Sequence, residues 1–276
     1  MLVHSLHVTV QACAAEPRYH FPELTLSGGK FIHVLGPNGA GKSTFLSLLA
    51  GMLAPQSVAL CRTYLASNDG VLSDNRCQVK LSEESAPSVT QPQPQTNEVI
   101  TPNDTVWHAH RGFYSAQYEP SFALKVADIM QFFVLEPSES AVSDVLAPEI
   151  EKVFAIRQFW DRPITELSTG QQNRVHLARV CQQIYPALQR GEGMLLLDEA
   201  FTGLDIYYQQ QLMQLLRRWV GLGNIIVHAH HELHSLPKYT ADEAIIITGG
   251  KLVHQGQIGV LDWSNIHQTI FHVDTI

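Results

Sequence analysis

Long apolar runs are missing from this chain of 276 residues. The longest, Phe45 to Ala54, is interrupted by Ser47 and Gly51. A bilayer-spanning helix needs about 20 mostly apolar residues, so the chain is expected not to cross a membrane, and any association with one must come through a partner or the surface. Basic residues are also scarce: 18 Lys and Arg against 26 Asp and Glu leave a formal net charge of −8. Nucleic-acid binders usually carry a basic excess, and no nucleic-acid partner is expected. The four cysteines (Cys13, Cys61, Cys77 and Cys181) are far apart and form no C-x-x-C pair. They read as free thiols in a reducing compartment rather than as a disulfide framework. Met1–Val10 has neither a basic n-region nor a small-residue cleavage site, so it does not read as a signal peptide.

What is present is an alternation of short apolar runs and periodic helical stretches. Residues 2–10, 31–35 and 58–65 read as strands, and Ser43–Met52 as a helix ended by Gly51 and Pro55. Residues 122–160 read as mainly helical, and 170–190 as a helix. Met194–Leu197 reads as a buried strand, 205–220 as a helix, and Ile225–His228 and Ala244–Thr248 as strands, with a turn at Gly249-Gly250. Strands alternating with helices indicate an α/β fold with a largely parallel sheet. The length suits a single domain over 1–276 that carries a subdomain or insertion. Ser82–Thr105 is rich in Gln, Pro, Ser and Thr and cannot bury much apolar surface, so a disordered surface insertion is expected there.

Gly36-Pro37-Asn38-Gly39-Ala40-Gly41-Lys42-Ser43-Thr44 fits G-x-x-x-x-G-K-[ST] in full, after the apolar run Phe31–Leu35 and before a helix. Glycines let the backbone curl so that successive N–H groups point at phosphate oxygens. The helix that follows adds the partial positive charge of its N-terminus. Lys42 is placed to reach the β- and γ-phosphates, and Ser43 to offer its hydroxyl to Mg²⁺. ATP with Mg²⁺ is the expected ligand. A second constellation follows the buried strand: Asp198 and Glu199 stand where a parallel sheet presents the C-terminal ends of its strands. Asp198 suits the Mg²⁺ shell, and Glu199 the role of general base toward the attacking water.

Between these two motifs lies Leu167-Ser168-Thr169-Gly170-Gln171, followed by Gln172-Asn173-Arg174-Val175-His176-Leu177-Ala178-Arg179. The stretch resembles the LSGGQ signature of the ABC transporter ATPases. Leu204-Asp205 resembles the family's D-loop, and His231-Glu232-Leu233 its switch-histidine segment. The resemblance spans nearly the whole chain outside 82–105. It implies a P-loop NTPase core with a largely parallel sheet, an N-terminal antiparallel β part and a helical subdomain at about 120–168. It further implies a head-to-tail homodimer in which Ser168, Thr169, Gly170 and Gln171 of one copy close over the nucleotide of the other. His231 would contact the γ-phosphate and the attacking water. His110 to Gln117 resembles the strand that leads to the Q-loop, whose glutamine aligns at Ala116 or, one position on, at Gln117; Gln117 is taken for Mg²⁺ and coupling. Tyr19 is the candidate for stacking on adenine, a plain surface tyrosine being the alternative. Two departures stand out: Thr169 replaces the first signature glycine, and Ala200 the usual proline after the acidic pair.

His228, His230, His231 and His234 also cluster in the sequence, which raises a metal site. The switch-histidine resemblance accounts for His231 without one, and the others read as surface or packing residues. Within the family, Ile32–Thr44, Leu49–Met52 and His110–Ala123 are most similar to the ATPases of bacterial cobalamin importers. So is the long connection around Ile184–Gly193. Haem or iron-siderophore importers are the alternative. The implied partners are two transmembrane permease subunits and, indirectly, a periplasmic substrate-binding protein, with the chain peripheral on the cytoplasmic face of the bacterial inner membrane. A soluble non-transport ABC protein is the competing class, disfavoured by a single acidic cassette.

Overall fold

In the computed structural model the described residues are 3–10, 13–15, 19–53, 57–65, 96–104, 106–116, 122–131, 146–231 and 239–271. In chain order they form β1 (Val3–Val10), β2 (Cys13–Ala15), β3 (Tyr19–Phe21), β4 (Leu24–Ser27), β5 (Lys30–Leu35), α1 (Lys42–Leu49), β6 (Val58–Leu65), β7 (Thr96–Ile100), α2 (Trp107–His110) and β8 (Arg111–Ser115). There follow α3 (Val126–Gln131), α4 (Pro148–Phe154), α5 (Thr169–Gln183), α6 (Tyr185–Arg190), β9 (Met194–Asp198), α7 (Ile206–Gly221), β10 (Ile225–Ala229), β11 (Glu243–Thr248), β12 (Lys251–Gln257) and α8 (Trp263–Ile266).

Strands β9 and β10 are buried throughout, and β5 everywhere but at Lys30. Strands apolar on both faces need cover on both sides, which a parallel sheet flanked by helices supplies. Accordingly β11, β5, β10, β9 and β8 are consecutive parallel neighbours in an eight-stranded sheet, with β8 at its edge. Its order is β2-β3-β12-β11-β5-β10-β9-β8, with β12 antiparallel to β11. A second sheet, β4-β1-β6-β7, is antiparallel throughout.

The period-two alternation of strands sorts the central residues into two cores. Phe31, Leu195, Leu197 and Ile226 pack with Ile150 of α4, Val175 of α5 and Leu216 and Trp219 of α7. Ile32, Val34, Met194, Leu196 and Val227 pack instead with Phe45 and Leu46 of α1 and with Val8, Leu26 and Leu60 of the antiparallel sheet. The buried Asn224 pins the entry to β9 and β10. Its amide donates to Leu188 O (2.7 Å) and Trp219 O (2.8 Å) and accepts from Gly193 N (2.8 Å).

Two expectations are corrected. The stretch 82–105 is not disordered throughout. Thr96–Ile100 is the edge strand β7, paired with β6 from Tyr64↔Thr96 to Leu60↔Ile100. Ile100 is 1% exposed within the α1 core, so this end of the stretch does bury apolar surface. Residues 82–95 lie outside the described residues. The single helix read over 170–190 is two, α5 and α6, broken at Ile184. Pro186 sits in the first turn of α6. Having no N–H it cannot continue the bonds of α5, but it is well tolerated where a new helix starts. The long connection to β9 is therefore a short extra helix. The block read as helical at 122–160 contains α3 and α4; residues 132–145 lie outside the described residues. Among the described residues no helix is long and apolar enough to cross a membrane.

Candidate nucleotide site

The loop between β5 and α1 sits at the C-terminal edge of the parallel strands, where ligands of open α/β sheets bind. Its turns are stitched to the β11–β12 connection: Gly250 N donates to Ala40 O (2.9 Å), and His20 N donates to Gly250 O (2.9 Å). Gly41 has φ 106°, a left-handed conformation that a side chain would disfavour, and a Cβ there would lie 2.8 Å from Tyr19 Cε1. The Tyr19 ring thus rests on the last glycine of the loop. The Lys42 amine is 7% exposed and donates to Gly36 O (2.8 Å) and Pro37 O (3.1 Å). An ammonium has three protons to donate, and one remains beyond these two bonds. Burial pulls the Lys42 amine below its usual range, with Glu199 and Asp198 acting in the other direction. Burial likewise raises the Asp198 carboxyl above the usual carboxylate range, opposed by a hydrogen bond from Ser43.

Strand alternation explains how neighbouring acids serve different places. Asp198 follows Met194 and Leu196 onto the α1 face, where Ser43 meets it. Glu199 lies just beyond the strand with φ 52°, its N–H donating to Ala229 O (2.9 Å). Its side chain enters a cleft of about 400 Å³ on the opposite face of the sheet. There Glu199 Oε1 stands 3.5 Å from Nδ1 of His231, at the end of β10. The phosphate loop, Asp198, Glu199 and His231, distant in sequence, are thus gathered at one edge. Gln117 and His234 lie outside the described residues.

The segment Ser168–Gln171 forms the start of α5. Ser168 caps the helix with a reciprocal box: Gln171 N donates to Ser168 Oγ (3.4 Å), and Ser168 N donates to Gln171 Oε1 (3.0 Å). Ser168 and Thr169 are exposed. Gly170 has no room for a side chain, because a Cβ would meet Gly203 O at 2.7 Å. Asn173 Nδ2 donates to Thr202 O (3.1 Å), and Gln209 Nε2 to Leu204 O (2.9 Å). The loop that leaves Glu199 is thereby clamped between α5 and α7. Ala200, where a proline was expected, is buried in the helical core.

One grouping escaped the sequence reading. His33 of β5 is in register with His228 of β10, and His230 follows two positions later. All three imidazoles are buried on the Glu199 side of the sheet and line the same cleft. Nothing near His33 in the sequence carries a metal or catalytic pattern.

The family profile described as ABC transporter matches residues 20–202. The hemin import ATP-binding protein of Bradyrhizobium diazoefficiens is 28% identical over 254 residues, 92% of this chain and 82% of that one. The vitamin B12 import ATP-binding protein of Yersinia enterocolitica is 30% identical over 253 residues, 90% of this chain and 85% of that one. Among solved structures, an ATP-binding subunit of an ABC transporter shares the fold with a TM-score of 0.61 at 14% identity, covering 98% of this chain and 95% of that one.

Proposed function

This chain belongs to the ABC transporter family, and from that premise we propose that it is the ATP-hydrolysing subunit of a bacterial importer, working as a head-to-tail homodimer on two permease subunits. The observation that carries this reading is the convergence of Lys42, Asp198, Glu199 and His231 at one sheet edge, together with a capped, exposed signature helix on the same chain.

Each residue has a part that follows from its place. The N–H groups of Gly36–Ser43 and the start of α1 bind the phosphates. Lys42 uses its remaining donor on them, and the Tyr19 ring beside the loop offers a stacking face for the base. The Ser43 hydroxyl and the Asp198 carboxylate are the hard oxygen donors that would hold Mg²⁺, which when bound would offset the charge of the triphosphate. Gln117 is proposed as a further ligand. Glu199 accepts the proton of the attacking water, and His231, hydrogen-bonding at the edge of the cleft, fixes that water and the γ-phosphate. Ser168 and Gly170 of the second copy complete the pocket from the other side. Ser168 Oγ already accepts from Gln171 N, so its proton is available to a phosphate oxygen.

The cargo reading is cobalamin, supported by the vitamin B12 import relative. A hemin importer is the second reading, supported by a relative of similar identity over a similar share of the chain. On this reading the chain is a peripheral protein on the cytoplasmic face of the inner membrane, with a periplasmic binding protein delivering cargo on the far side. Co-expression with each candidate permease, reconstitution in vesicles and assay of ATP turnover with each cargo test the reading. Stimulation by cobalamin alone is the expected outcome. Stimulation by haem alone selects the second reading, and a chain that never associates with a permease overturns both.

A further inference from the structure

We propose that His33, His228 and His230 form a binding site for a divalent transition-metal ion of the Zn²⁺ class. One ring nitrogen from each of the three histidines lies within 4.8 Å of the others, and all three side chains are buried. His33 Nδ1 stands 2.9 Å from His230 Nε2, and the His228 ring stacks on His230 with centroids 4.6 Å apart. Among the described residues His228 Nε2 is a buried polar atom with no hydrogen-bond partner, an arrangement that is costly unless something occupies its lone pair or takes its proton.

The surroundings select the nitrogen that faces an ion. His33 Nε2 lies 3.0 Å from Asp242 Oδ2, and the Arg217 guanidinium donates through both terminal nitrogens to the same carboxylate. Asp242 therefore accepts from Nε2–H of His33, which leaves Nδ1 bare and turned toward His230. A carboxylate that fixes the tautomer of a ligating histidine from behind is the usual support of a protein metal site. Arg217 is in turn held between the rings of Phe31 (4.7 Å) and Tyr239 (4.6 Å).

Three neutral imidazoles suit Zn²⁺, Co²⁺, Ni²⁺ or Cu²⁺ and are poor donors for Mg²⁺, which prefers oxygen. Bonds of about 2.0–2.1 Å in a tetrahedron place ligand nitrogens roughly 3.3 Å apart. The 2.9 Å pair opens by a few tenths of an ångström to reach this, and His228 closes by a side-chain rotation. The His230 proton then resides on Nδ1. The fourth position faces the 400 Å³ cleft, which gives the ion an entry path and space for a water.

The test uses the full chain freed of any polyhistidine tag, stripped of metal and without nucleotide, titrated with Co²⁺ alone. One equivalent bound with the intense visible band of four-coordinate Co²⁺, displaced by one equivalent of Zn²⁺, is expected. His228→Leu and, separately, His33→Gln abolish that band. Asp242→Asn weakens binding roughly 10- to 100-fold, and exposed His254→Gln leaves it unchanged. Failure of the wild-type chain to bind one equivalent overturns the proposal whether or not the variants fold. So does a band that survives both His228→Leu and His33→Gln. Because binding is read without ATP, the result is independent of the proposed ATPase activity.

Discussion

The phosphate loop with the adjoining end of β9 and the start of α5 are built in opposite ways. At the phosphate loop, charged groups are sunk into the fold: Lys42 is 7% and Asp198 5% exposed, and each is pulled from its usual ionisation range by burial. At the signature, Ser168 and Thr169 stand in solvent at a helix start whose cap is satisfied locally. The first is a site in which charge is concentrated and preorganised within one chain. The second is a helix end that leaves its first residues to the solvent. The contrast teaches that one copy carries two unlike regions, a buried charged loop and an exposed helix start, and that Asn173 of α5 and Gln209 of α7 clamp the loop that follows Glu199.

The sharpest way to break the comparison is to damage each half separately. Lys42→Ala should lower turnover by about 10³-fold or more and also weaken ATP binding by the isolated chain. Glu199→Gln should lower turnover by about 10²–10⁴-fold while equilibrium ATP binding persists; unchanged turnover removes Glu199 from the base role. Gly170→Asp, which drives a side chain against Gly203 O, should cut turnover by roughly 10²-fold with ATP binding by the monomer intact. Mixing the Lys42→Ala and Gly170→Asp chains should then restore part of the activity, because a mixed dimer holds one site with both halves unaltered. If no mixture recovers turnover, the half-sites do not complement between copies.

Smaller effects sharpen the picture. His176, buried inside α5, has its pKa lowered to about 4, chiefly by burial and secondarily by Arg179. The unfolded chain takes up this proton near 6.5 and the folded chain only near 4, so stability is flat above about pH 6.5 and falls as the pH drops below it. Urea unfolding should show a loss of roughly 2 kcal/mol from this group at pH 5, absent in His176→Leu. Thr169→Gly, which removes a side chain from the expected closed interface, should raise turnover by no more than about tenfold, with helix stability changed by roughly 0.5 kcal/mol.

The phosphate loop and the acidic pair were legible in the sequence because each is a local device, a run of residues whose spacing alone puts the groups on one turn or one strand end. The largely parallel sheet around them followed from the alternation of strands with helices. Other features were hidden because their cause is not local. His33 and His230 are 197 positions apart and meet only through the register of β5 with β10. The strand β7 is masked by the polar tract before it and owes its order to pairing with β6. The break at Ile184 was signalled by Pro186, yet the apolar periodicity continues across it from α5 into α6.

Glu199 is a residue with a side chain held at φ 52°, in a region that favours glycine by on the order of 1 kcal/mol. On the proposed role of Glu199 as base, fold and catalysis want different residues at this one position. Glu199→Gly should melt at a slightly higher temperature than the parent chain while being inert, whereas Glu199→Ala should be inert without that gain. A population selected for durability alone would drift to glycine here; one selected for turnover must keep the acid and the less comfortable backbone together.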